Sequence, residues 1–111
     1  MNSHWDLTVL DKYDQLVLVV EVKGRLGISP EWASQFRRNI FAHGTFPDAP
    51  YFLMAFPDKF YLWTDSPRKQ GVVSPDFTID ATPILRPYLE KSGLMPIDLS
   101  DQSLEVLVTA W

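Results

Sequence analysis

Asp6, Glu21 and Lys23 are the residues whose types and spacing can do chemistry. Glu21 and Lys23 close an aliphatic run that begins at Leu16. A strand period of two places them on one face with Val17 and Val19, while Leu16, Leu18, Val20 and Val22 take the other. A strand this continuously aliphatic is covered on both sides, so a carboxylate and an ammonium emerging at its end need water, a partner or a metal. A turn closing symmetrically about Lys12 and Tyr13 sets Asp6 against Val19 and His4 against Glu21, which brings Asp6 onto the face of Glu21. Diagonal cross-strand neighbours have Cβ atoms roughly 7 to 8 Å apart, a span two carboxylates bridge by sharing one hard cation such as magnesium or manganese. A turn one residue longer or shorter reverses the parity and sends Asp6 to the other side. The plainer alternative is a solvated ion pair between Glu21 and Lys23, worth less than about 1 kcal/mol, with Asp6 as a solvated strand-end acid.

Several elements must position these residues. Trp5 to Leu10 and Leu16 to Lys23 are expected as two antiparallel strands joined by the polar turn Asp11-Lys12-Tyr13-Asp14. After a loop from Gly24 to Ile28, Ser29-Pro30-Glu31 supplies an N-cap, a Pro in the first turn and an early acid for a helix running to about His43, with Gly44 as its stop. Trp32, Phe36 and Ile40 with Ala33 form one apolar stripe of that helix, Gln35 lies beside the stripe, and Arg37 and Arg38 occupy the opposite face. Tyr51 to Phe56 and Phe60 to Thr64 form a second hairpin about Pro57-Asp58-Lys59. Ser66 to Pro75 is expected as an exposed loop. The remainder is a helical tail: a 3₁₀ entrance near Pro83, a helix from about Pro87 to Gly93, and a last helix capped by Ser100 with Leu104, Leu107, Val108 and Trp111 on one side.

Composition bounds the possibilities. The 111 residues, 46% hydrophobic and 22% charged, with seven Phe, four Trp and four Tyr, suit a single domain over residues 1–111 with one well-packed core. No cysteine is present, which excludes disulfides, thiolate zinc sites and thiol catalysis, so any metal must sit on oxygen or imidazole. The longest aliphatic run is far below the roughly 20 residues of a membrane helix and the first residues lack signal-peptide character, so no membrane partner is expected and the cytoplasm is the default compartment. A net charge of −4 argues against a strongly basic nucleic-acid clamp. No Gly-rich phosphate loop, nucleophile elbow or His-x-x-x-His occurs, which removes nucleotide binding, serine hydrolysis and zinc proteolysis.

An acid about fifteen residues before a Glu-x-Lys on the next strand resembles the PD-(D/E)XK nuclease superfamily, with Asp6 as the first acid and Glu21-Val22-Lys23 as the second element. Trp5 stands where the pattern prefers Pro. The resemblance covers about residues 5 to 64: hairpin, Glu-x-Lys strand, helix with Gln35, and a further strand pair. It implies an α/β fold with a restriction-endonuclease-like mixed β-sheet flanked by helices, and a Mg²⁺- or Mn²⁺-dependent endonuclease that hydrolyses DNA phosphodiester bonds. In that reading Asp6, Glu21 and the Val22 carbonyl hold the metal, Lys23 orients water or stabilises the phosphorane, and Gln35 reaches the site from the helix. Arg25, Arg37 and Arg38 are the candidate nucleic-acid contacts. Members usually open with a further helix and strand, which here a partner subunit must supply unless the domain is minimal. The alternative is a catalytically inactive module of the same fold that serves in oligomerisation or docking. A strand pair starting at residue 5 has little chain to cover its outer edge, and the last helix adds apolar surface, so a homodimer or larger assembly is expected.

Overall fold

The structure, a computed structural model, describes residues 6–43, 49–66 and 71–110. Its first helix, α1 (Pro30–His43), starts where its cap stands. Ser29 Oγ accepts the Trp32 N–H at 3.1 Å and the Ser29 carbonyl accepts that of Ala33 at 3.1 Å. The expected stop at Gly44 lies outside the described residues, as do His4, Trp5 and Trp111.

Five strands form one mixed sheet in sequential order: β1 (Leu7–Leu10), β2 (Leu16–Val22), β3 (Tyr51–Ala55), β4 (Lys59–Thr64) and β5 (Phe77–Asp80). Neighbours run antiparallel except β2 and β3, which are parallel because α1 crosses over between them. Two further helices follow, α2 (Thr82–Ser92) and α3 (Asp101–Ala110), separated by a 3₁₀ turn at Pro96–Asp98. The molecule is thus a mixed α/β fold with a five-stranded sheet and three helices. Among the described residues no helix is long and apolar enough to cross a membrane.

Alternation along the strands divides the interior into two clusters, one on each sheet face. Val19, Phe52, Met54, Phe56, Tyr61 and Trp63 pack with Ala33 of α1. Val20, Val22, Leu53, Ala55 and Phe60 pack with Leu85 and Leu89 of α2 and with Leu104 and Val108 of α3. Both faces being covered explains why β2 is a nearly unbroken aliphatic run.

Four expectations need correction. First, the opening hairpin does not close symmetrically about Lys12 and Tyr13. Asp11 Oδ1 accepts the N–H groups of Tyr13 and Gln15, Asp14 takes a left-handed φ of 62°, and the register shifts between Leu10↔Leu16 and Val9↔Leu18, which leaves Val17 as an extra residue. Leu16 consequently packs with the α1 cluster instead of sharing the face of Leu18. Second, Phe77–Asp80 is a strand, not part of a helical tail. Third, Pro87 lies inside α2. Its missing N–H would have bonded the Pro83 carbonyl in the first turn, so only one bond at the helix start is forfeited, while Leu85 N–H to the Ala81 carbonyl at 2.9 Å still closes the turn. Fourth, the segment after β4 is not simply exposed: Ser66 is buried, and the Val73 carbonyl accepts Trp63 Nε1–H at 2.8 Å.

Candidate metal and phosphate site

Register determines what meets at the open end of the hairpin. Leu7 pairs with Val20, so Asp6 falls beside Glu21, two residues further along β2 than a turn about Lys12 and Tyr13 implies. An offset of two preserves the face, and Asp6 and Glu21 come together. They bracket one another. Asp6 Oδ2 accepts the Val22 N–H at 2.7 Å, and the Asp6 N–H donates to Glu21 Oε1 at 3.4 Å. An extended residue presents its N–H and C=O to the same edge, so the Val22 carbonyl also faces the edge where Asp6 lies.

Glu21 is 8% exposed. Burial, and then the charge of Asp6, push its carboxyl up from 4.5 to about 7, against the smaller opposing effects of the Asp6 N–H and the Lys23 charge. Glu105 of α3 adds weakly to the upward push. Two like charges in a poorly solvated corner are the arrangement that a hard divalent cation relieves. Magnesium typically uses one or two carboxylates and keeps several waters, so this oxygen set fits it. Among the described residues no group of three or more His, Asp or Glu stands together as a metal-holding cluster.

Lys23 is held by its backbone N–H, which donates to the Ala55 carbonyl at 3.0 Å, and its Nζ lies 5.2 Å from the centre of the Phe36 ring. The chain then turns tightly, Arg25 N–H to the Lys23 carbonyl at 2.9 Å, and leaves Arg25 exposed.

Gly24 explains how the helical layer reaches this corner. Its N–H donates to Asp101 Oδ1 at the start of α3, and a Cβ built on it would stand 2.5 Å from the Leu99 carbonyl oxygen and 2.9 Å from the Asp101 nitrogen. Those are backbone atoms that cannot swing aside. Gly24→Ala is therefore expected to cost about 1 to 3 kcal/mol by forced separation of β2 from α3. Urea unfolding measures it, and a midpoint equal to that of the wild type would mean the contact is loose.

The helix contributes differently from the expectation. Gln35 is exposed, and Ala33 and Arg37, two residues to either side and each about 200° around the helix, are wholly buried, so Gln35 points away from the sheet. Arg37 is not on a wet face. It is completely buried and its Nη2 donates to Ser66 O and Ser66 Oγ, both at 3.0 Å, so it offers no phosphate contact. Arg38 is exposed and bonds Asn39 Oδ1 at 3.1 Å on the outer side of α1. Of the candidates, Asp6, Glu21, Val22, Lys23 and Arg25 share the end of β2, while Gln35, Arg37 and Arg38 do not join them. No family model matches the chain, and no curated protein or solved structure matches it. Two contributors escaped the reading of the sequence. Phe36 belongs to the apolar stripe and carries no mark of a role beside Lys23, and Gly24 looked like ordinary loop chemistry.

Proposed function

We propose that the chain is a magnesium- or manganese-dependent endonuclease that hydrolyses DNA phosphodiester bonds, on a restriction-endonuclease-like version of its mixed sheet. The reciprocal bracketing of Asp6 and Glu21, with Lys23 on the same strand end, carries this reading. The order hairpin, Glu-x-Lys strand, crossover helix and further strand pair supports it. A cation held by Asp6, Glu21 and the Val22 carbonyl would supply a Lewis acid that activates water and offsets charge on the phosphate. Lys23 donates to a non-bridging phosphoryl oxygen or orients the attacking water. Arg25, exposed two residues on, offers a forked contact to a neighbouring phosphate. Gln35, on the outer side of α1, takes no part in orienting the water.

Nicking of supercoiled plasmid in magnesium or manganese tests the proposal. Lys23→Ala and Asp6→Asn are each expected to lower the rate at least about 100-fold. Metal-dependent nicking that persists unchanged in both variants refutes it.

Self-association of two copies rests on a different observation. Leu94 and Val106 are exposed, Val106 at 68%, and line one groove with Tyr88 and Leu107. Lys91 lines the same groove and Glu105 lies beside Val106, so both signs of charge border the apolar surface. Light scattering at micromolar concentration is expected to give twice the 12.8 kDa chain mass, with Val106→Asp returning the single-chain mass. A wild-type chain that scatters as a monomer contradicts this.

A further inference from the structure

We propose that Phe36 is a positioning residue through which α1 serves the site, its ring holding the Lys23 ammonium on the face of Glu21 so that the ammonium's N–H donors remain free for phosphate. This rests on the nuclease reading and identifies the helix residue that acts in it.

A lysine ammonium on a four-carbon stem has no preferred place unless something gives it one. Lys23 Nζ lies 5.2 Å from the Phe36 ring centre, within the range over which a ring's negative face attracts a cation. The ring itself is fixed. Trp32 stacks on it at 5.0 Å between centres and 12° between planes, and Trp32 in turn meets Phe56 edge-on at 6.4 Å. Phe56 is fully buried. A chain of aromatic contacts thus runs from the sheet interior through α1 to the Lys23 cation. Among the described residues no close ion pair joins Lys23 to Glu21. That difference matters chemically. An ammonium clamped onto Glu21 would occupy carboxylate oxygens needed for a cation and would use its own donors, whereas a ring face takes neither.

The experiment uses the full chain with Phe36→Leu, with Phe36→Met if the first fails to fold, and with Phe36→Tyr as the conservative replacement. Plasmid nicking in magnesium is expected to show kcat roughly tenfold lower in Phe36→Leu with KM nearly unchanged, and a rate near that of the wild type in Phe36→Tyr. Ring-current shifts read the geometry without catalysis. In wild type and Phe36→Tyr the Lys23 ε-methylene protons should resonate upfield of those of Lys59 and Lys91, and in Phe36→Leu they should rejoin them. Lys23 resonances that coincide with those of Lys59 and Lys91 in the wild type overturn the proposal, as does an unchanged kcat in folded Phe36→Leu. A wild-type chain without metal-dependent nicking refutes the nuclease reading by itself, and the resonances still decide whether Phe36 holds Lys23.

Discussion

Glu21→Gln is expected to abolish metal-dependent cleavage and, in the same protein, to raise the stability of the metal-free chain at pH 8. The two effects have one cause. Glu21 is buried beside Asp6, and its carboxyl is pushed from 4.5 in the unfolded chain up to about 7 in the folded one. Below about pH 4.5 it is protonated in both states and contributes nothing to the pH dependence. As pH rises toward 7 the unfolded chain ionises first and gains from it, so the folded state progressively loses stability. Above about pH 7 both states are ionised and the loss is complete, with an upper bound of roughly 3 kcal/mol. Gln keeps the oxygen that accepts the Asp6 N–H and carries no charge, so in chelator it should be roughly 1 to 3 kcal/mol more stable than wild type at pH 8 and nearly equal at pH 4.5. Adding magnesium or manganese should stabilise wild type and leave Glu21→Gln almost unaffected, because a ligand stabilises in proportion to its affinity for the folded state. Thermal unfolding across pH 4 to 8, with and without metal, measures this. Parallel pH profiles for the two proteins would show that Glu21 is not the acid that titrates on unfolding.

The carboxylate pair could be found from the sequence although the hairpin geometry could not. Placing Asp6 against Val19 differs by two residues from the observed register, and side-chain direction repeats every two residues, so the face came out right. The bulge at Val17 has no local mark. Val is an ordinary strand residue, and what selects the bulge is the five-residue turn organised by Asp11 together with the need to bury Leu16 under α1. The start of α1 was readable because its signals are local and concentrated in Ser29, Pro30 and Glu31. β5 was not, because four residues at a sheet edge with Phe77 57% exposed give little alternation to detect, and Pro83 and Pro87 pull attention toward the following helix. Arg37 shows a different failure. Hydrophobic periodicity assigns any arginine to the wet side, yet this one is accepted into the interior by partners that lie twenty-nine residues away in the chain.

Arg37→Ala is expected to destabilise the fold by about 3 to 5 kcal/mol, a large effect for a residue that looks like surface charge in the sequence. Its guanidinium donates twice to Ser66, lies 4.6 Å from the centre of Phe41 and 5.6 Å from that of Trp63, and is fully enclosed. Burial lowers its pKa from 12.5 to about 10, partly opposed by the Asp76 carboxylate, so it remains charged at neutral pH. Asp76 also accepts the Thr64 N–H at 2.7 Å, and its own N–H donates to the Leu62 carbonyl at 2.9 Å. Arg37 therefore ties α1 to the segment that leaves β4 and returns toward β5. Alanine removes the donors from Ser66, leaves a cavity between two aromatic rings and strips the counter-charge from Asp76. Arg37→Met keeps most of the volume without a buried charge, and because apolar replacements of buried ions are often close to neutral, its cost should stay below about 2 kcal/mol. The methionine variant also separates structure from binding. If Arg37 makes no phosphate contact, DNA affinity in Arg37→Met should keep the wild-type slope against salt, whereas Arg25→Ala should flatten that slope by about 0.9. Stability of Arg37→Ala within about 0.5 kcal/mol of wild type would contradict the buried role, since only exposed sites tolerate truncation so well. A salt slope in Arg37→Met that falls as it does in Arg25→Ala would return Arg37 to the nucleic-acid surface.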